Sequence, residues 1–282
     1  MSHLHTDTQR NTIMKITTLS RIALASATLA AASAEAAVLQ RCGVGAGLSH
    51  WTTVGDVAVV TGPAAGHFFG GGTTLVLGTA SLSNQDDTPF AAGAYNVSGS
   101  DVALAAQANG AEANLGLSTG AFASSAGADD VVEASSAAQS FFLNAGDTIS
   151  FTWQVLTRDA YAGNSDSVND SAWVAFSLAA DPQQAATVTQ TQLGNIGTLA
   201  LMTGSDGWRV TGLNTFSFTA ATGGTARLGW GVNDMVDGTG TTLLAIQNVS
   251  VQAAAVPEPA SVALLLVALG VIGLSTLRRR QG

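Results

Sequence analysis

Thr148-Ile149-Ser150-Phe151-Thr152-Trp153-Gln154-Val155 decides the fold class. Ile149, Phe151, Trp153 and Val155 alternate strictly with Thr148, Ser150, Thr152 and Gln154. A period of two puts the four apolar side chains on one side of an extended chain, as in a half-buried β-strand. Just upstream lies a second apolar run, Gln139-Ser140-Phe141-Phe142-Leu143. Asn144-Ala145-Gly146-Asp147 between them is a turn signal, because Asn, Gly and Asp accept the backbone angles that a reversal needs. The two strands are expected to form a hairpin around it.

The same reading extends outward. Ser171 to Leu178 places Ala172, Val174, Phe176 and Leu178 on one face. Val188 to Met202 holds one or two further strands, and Thr215-Phe216-Ser217-Phe218-Thr219 alternates again. Leu228, Trp230 and Val232 alternate with Arg227, Gly229 and Gly231. Thr242 to Val251 closes the series with Leu244, Ile246 and Val249. Upstream, His50 to Val54, Val57 to Val60 and Thr73 to Leu77 read as strands, broken by Gly62-Pro63 and Gly70-Gly71-Gly72. From Ala91 to Gly127 the chain is dominated by Ala, Gly, Ser and Asn, which leaves weak strands or a mobile insertion. Short strands divided by turns, without helical periodicity, predict an all-β domain: an antiparallel β-sandwich, jelly-roll-like. With 46% hydrophobic and only 10% charged residues, the composition also points away from a helical enzyme.

The two ends differ from this domain. Residues 1–13 look foreign to the rest of the chain. Met14-Lys15, Arg21 and the apolar run from Ile22 to Ala32 form a secretory signal peptide over 14–36, a short signal helix. Ala34-Glu35-Ala36 is a small-x-small cleavage site, so the cut falls between Ala36 and Ala37. The exported domain is then 37–255. It holds four basic residues, Arg41, Arg158, Arg209 and Arg227, against sixteen acidic ones, a formal charge of −12. That excludes nucleic acid, whose phosphates require Lys and Arg, and it disfavours lying on anionic lipid.

Several residues invite a chemical role. The loop Arg158 to Asp170 offers Asp159, Asp166, Asn169 and Asp170 as oxygen donors, with Gly163 for a tight bend. That donor set suits Ca²⁺, although the EF-hand frame with its terminal Glu is missing and a solvated polar loop is the competing reading. Trp208, in Gly204-Ser205-Asp206-Gly207-Trp208, is the best candidate for a loop tryptophan that could stack on a sugar ring, with core packing as the alternative. Asp86-Asp87, Asp129-Asp130 and Asp234 with Asp237 are paired carboxylates, but adjacent acids in polar loops do not resemble two acids set across a glycosidic bond. Cys42 is the only cysteine, so no internal disulfide forms. No motif of a cysteine hydrolase surrounds it, and His50 or His67 as its base would need spatial contact. These residues predict no catalytic site and no required cofactor.

The tail 256–282, VPEPASVALLLVALGVIGLSTLRRRQG, is the most informative stretch for function. Residues 260–277 carry no charge; as a helix rising about 1.5 Å per residue they reach roughly 27 Å, enough for a single transmembrane helix. Arg278, Arg279 and Arg280 form a cytoplasmic stop, which puts the domain on the far side of the membrane. Pro257 and Pro259 flank Glu258 and hold the segment before the span extended.

Val256-Pro257-Glu258-Pro259, the apolar span and the Arg cluster together resemble the PEP-CTERM sorting signal of Gram-negative bacteria. The resemblance implies Sec export, membrane attachment through the C-terminal helix, and handling near the Pro-Glu-Pro motif by an exosortase. It also implies an association with exopolysaccharide and the biofilm matrix. More loosely, the domain is similar to the cargo regions of such proteins. There an Ala-Gly-Asp turn precedes an aromatic strand, an Asp/Asn-rich loop comes next, and a Leu-Leu-x-Ile-x-Asn-Val strand ends the domain. Here these are Ala145-Gly146-Asp147, the loop from Asp159 to Asp170, and Leu243 to Val249, with Gln247 where an Asp is often seen. The expected protein is an exported, non-catalytic surface or matrix protein. A carbohydrate- or Ca²⁺-binding module is the alternative, and a secreted hydrolase the weaker one.

Overall fold

The computed structural model describes residues 44–61, 72–81, 96–104, 108–126, 131–158, 170–180, 187–203, 208–235 and 240–254. In chain order the strands are β1 (Thr52–Val54), β2 (Asp56–Thr61), β3 (Thr73–Gly78), β4 (Ala103–Leu104), β5 (Val131–Leu143), β6 (Thr148–Thr157), β7 (Ser171–Ala179), β8 (Val188–Asn195), β9 (Leu201–Thr203), β10 (Arg209–Thr211), β11 (Asn214–Thr219), β12 (Gly224–Met235) and β13 (Thr242–Gln252). Two short helices, α1 (Ala108–Asn114) and α2 (Ala121–Ala126), lie between β4 and β5.

All recorded pairings are antiparallel, and they build two sheets. The first runs β1-β5-β12-β7-β8, with β4 also against β5; the second runs β2-β3-β13-β6-β10-β9, with β11 also against β6. This is the expected jelly-roll-like sandwich. The alternation read at Ile149, Phe151, Trp153 and Val155 points all four between the sheets, where they meet Val174, Phe176, Leu228, Trp230 and Val232 from the facing sheet. Aromatic rings lock the centre. Phe151 and Trp230 meet nearly at right angles with 5.2 Å between centroids, and Trp51 tilts onto Trp230 at 5.1 Å.

The hairpin expected at Asn144–Asp147 does not form. β5 belongs to the first sheet and β6 to the second, so the turn is an arch that carries the chain over the core. The cause is burial. Phe141 and Leu143 of β5 and Ile149 and Phe151 of β6 all face the same interior, so the strands must lie on opposite sides of it. The segment from β11 to β12 makes a return arch alongside. Gly146 N donates to Ala220 O at 2.7 Å, and Ala220 N donates to Asp147 O at 2.8 Å.

The segment from 91 to 127 is the second correction. Where it is described, it holds β4 and the two helices rather than a row of weak strands. The helices cover the outer face of the first sheet. Leu115 and Phe122 pack on Ala134, Ala138, Trp173 and Ala175. Gly229 and Gly231 make room for them: a Cβ on Gly229 would lie 2.5 Å from Leu115 Cδ2, and one on Gly231 3.0 Å from Leu115 Cδ1. Polar groups then fix the helices in place. Glu112 Oε2 accepts from Gly120 N at 2.7 Å and Oε1 from Phe122 N at 2.9 Å, which caps the start of α2. Arg227 Nε and Nη2 donate to Asn114 O at the end of α1, where a cation meets the exposed carbonyls.

The outer face of the second sheet carries its own latch. Asp56, fully buried, accepts from Val97 N at 2.9 Å and Ser98 N at 2.7 Å, holding residues 96–100 against the sheet. The strand pairs described here hold three register shifts: β12 against β5 between Asp234 and Met235, β13 against β6 between Gln247 and Ser250, and β7 against β8 between Ala172 and Trp173. In β13 the bulge contains Asn248, at φ 54°, a left-handed backbone that Asn tolerates better than most residues. Its Nδ2 donates to Thr152 Oγ1 of β6 at 3.1 Å.

This packing makes two predictions. Gly229→Val places a branched side chain between Leu115 and the backbone oxygen of Ala137, which sits 3.1 Å from the new Cβ. The variant is expected to lose about 1–3 kcal/mol, read as a lower urea midpoint at unchanged slope. The second concerns pH. Burial raises the Asp56 carboxyl above its usual 3.8, against the lowering effect of its hydrogen bonds to Ser98 and Val97. The folded protein therefore holds this proton more tightly than the unfolded chain. Its contribution to stability is full below about pH 3.8 and is lost as pH rises through the raised folded value. Unfolding free energies from pH 3 to 8 should show a destabilisation on raising pH in the wild type that is missing in Asp56→Asn. Equal pH slopes in the two proteins would contradict it.

Candidate functional site at the root of the C-terminal tail

β13 ends at Gln252, which pairs with Thr148 of β6. The chain then passes the arch between β5 and β6, and there it is held. Asp147 is buried at 5% exposure. Its Oδ2 accepts from Asn144 N at 2.8 Å and from Asn144 Nδ2 at 3.3 Å, closing the arch. Its Oδ1 accepts from Ala254 N at 3.0 Å. One carboxylate thus ties the turn to the point where the chain leaves the domain, through bonds that a charged acceptor strengthens.

Gly146 completes the arrangement. Its φ of 87° suits a residue without a side chain, and a Cβ there would stand 2.8 Å from the Ala254 Cβ. The Ala145-Gly146-Asp147 turn therefore has a local logic: Gly lets Ala254 approach, and Asp binds its N–H. Sequence reading singled out this turn as a turn and missed its contact with the chain exit. The signal was the Gly-Asp pair, but its partner lies 107 positions away in the chain.

Ala255 alone separates Ala254 from Val256. The sorting residues Val256, Pro257, Glu258 and Pro259, the span 260–277 and Arg278, Arg279 and Arg280 lie outside the described residues, as do the signal peptide and the Ala36–Ala37 cleavage site. Among the described residues, no helix is long and apolar enough to cross a membrane.

The other candidates fare differently. Asp159, Asp166 and Asn169 fall outside the described residues. Asp170 is buried at the start of β7, where Oδ2 accepts from Thr242 Oγ1 and Oδ1 from Met235 N at 3.3 Å. It ties the end of β12 and the start of β13 to the start of β7. Asp234 stands in register with Glu133 across β12 and β5, both buried, while its proposed companion Asp237 is outside the described residues. Among the described residues no group of three or more His, Cys, Asp or Glu could hold a metal ion. Asp86, Asp87, Asp129, Asp130, Cys42 and His67 are likewise outside, and His50 is exposed beside β1.

Trp208 lies in an apolar cluster. It is 4% exposed and packs with Val76, Ala80, Leu156, Leu243 and Ala245 on the outer face of the second sheet. The Arg158 guanidinium carbon lies 5.9 Å from its ring centroid. The apolar side chains that β3, β6 and β13 turn outward need cover, and Trp208 supplies it. No open ring face remains for a sugar.

Comparison with known proteins adds three findings. No curated protein matches this chain by sequence. Among solved structures the chain is similar to TmCBM61 in complex with β-1,4-galactotriose, at TM-score 0.35 and 11% identity, over 77% of this chain and 97% of that one. It is similar also to CBM28, a non-crystalline cellulose specific carbohydrate-binding module, at TM-score 0.36 and 8% identity, over 77% and 96%. A third is the enzymatically active domain of Bacteriophage CBA120 tailspike protein 4, at TM-score 0.35 and 13% identity, over 76% of this chain and 21% of that chain. Likeness at this level says nothing of binding or catalysis. In sequence, the residues just past the Asp147-held Ala254 are the informative ones: over 255–280 the chain carries the PEP-CTERM protein-sorting motif.

Proposed function

We propose that this chain is an exported, non-catalytic protein of the cell surface or extracellular matrix, sorted through its C-terminal tail. The Sec machinery exports it, the helix over 260–277 holds the precursor in the inner membrane, and an exosortase acts near Val256-Pro257-Glu258-Pro259. The observation that carries this reading is the sorting motif at 255–280, attached directly to the end of a folded sandwich. The acids support a scaffold rather than a catalyst. Asp56, Glu112, Asp147 and Asp170 each bind backbone N–H groups of their own fold, so their oxygens hold loops and helix ends in place. The domain's destination in this reading is the exopolysaccharide or biofilm matrix, and its acidic balance favours neutral glycans over anionic ones as neighbours there.

Replacing Pro257-Glu258-Pro259 by three alanines tests the reading. The apolar span and Arg278 to Arg280 are untouched, so membrane insertion is expected to persist while processing stops. The measurement is intact mass with C-terminal sequencing of protein from producing cells. Unchanged mature mass and unchanged surface release would make the tail an ordinary anchor. Retention of the 37–255 domain on polysaccharide, with and without EDTA, reports on the matrix partner.

A further inference from the structure

We infer that Asp147 is a positioning residue for processing of the tail: by holding Ala254, it shortens the free chain between the folded domain and the Pro-Glu-Pro residues. The inference rests on the proposed sorting role and deepens it. Three contacts converge on the exit. Asp147 Oδ1 accepts from Ala254 N at 3.0 Å, Gly146 stands against the Ala254 side chain, and the Ala220 arch braces the turn from the other side. The clamp draws on β5, β6, β11 and β13, so it forms only when both sheets are assembled.

Geometry gives the clamp its effect. Pro257 lies three residues beyond Ala254 and Ala260 six, so an extended chain reaches at most about 11 Å and about 22 Å to them. Without Asp147 the last anchorage is the Gln252–Thr148 pair, which frees two more residues, about 7 Å of chain. A membrane-embedded enzyme gains from a short tether, because fewer free residues narrow the search for its substrate segment. The covalent step is hydrolysis of one tail amide: water gives its hydroxyl to the acyl carbon and a proton to the departing amine.

The test tracks precursor and mature protein by pulse-chase in producing cells, with C-terminal mass. Four full-length chains are compared: wild type, Asp147→Ala, a Gly-Ser pair inserted between Ala254 and Ala255, and the triple-alanine tail. The insertion keeps Asp147 and the whole domain but adds slack, so it does not depend on how the point variant folds. Asp147→Ala and the insertion are both expected to slow processing, by about three- to tenfold, with the triple alanine blocked. Wild-type rates in either Asp147→Ala or the insertion, with the triple alanine blocked, would overturn the positioning role while leaving the sorting reading intact. Wild-type processing of the triple-alanine tail would instead remove the sorting reading on which the inference stands.

Discussion

The near-perpendicular contact of Phe151 with Trp230 is the constraint on which this sandwich depends. Each ring comes from a strand paired on both sides: β6 lies between β13 and the β10–β11 edge, and β12 lies between β5 and β7. An edge-to-face pair of large rings sets the spacing of the two sheets and forbids sliding of one over the other. Trp51 from the chain entry and Phe216 from β11 pack on the same two rings. The arches at Asn144–Asp147 and around Ala220 result from it, since strands that feed one interior from opposite sides must be joined over its end.

A sandwich usually leaves its outer faces to water, but here part of each is covered. The helices lie on the glycine and alanine lane of the first sheet, and Trp208 with the Asp56-held segment lies on the second. β7 shows the result: Ser171 through Ser177 is buried on both sides of the strand, with Trp173 outward beneath Phe122 at 5.8 Å. The polar residues that hold these outer layers are the ones that a search for chemistry would pick out first. Buried carboxylates here substitute for water around backbone N–H groups that packing has stripped of solvent.

The strands were legible because β6 and β11 write their burial into alternation, and β7 and β13 place alternate apolar side chains in the inner core. Position of the next strand was not: a turn at Asn144–Asp147 shows that the chain reverses, and only the distant partners of Phe141 and Phe151 decide which sheet receives it. The helices were illegible for another reason. Seven and six residues, mostly Ala, Asn, Gly and Ser with Glu112 and Phe122 among them, are too short for a helical period and owe their stability to the sheet beneath. What Trp208 packs on was hidden, because the apolar face beneath it is assembled from β3, β6 and β13. At the candidate site the motif itself was plain, since sorting signals are read as sequence. The Asp147 contact with its root was hidden, since it joins residues far apart in the chain.

Asn248 has a consequence beyond its own strand. Ahead of it the inward side chains of β13 are even-numbered, Leu244 and Ile246; past it they are odd, Val249 and Val251. One extra left-handed residue reverses the parity of everything downstream. Remove it, and Val249 and Val251 turn to solvent while the N–H of Ala254 swings away from the arch. The bulge therefore acts as a phase shifter for the chain exit. A tail of this kind is portable as a sequence, but a junction that presents it is not, because its direction is set several residues earlier by a single count of odd and even.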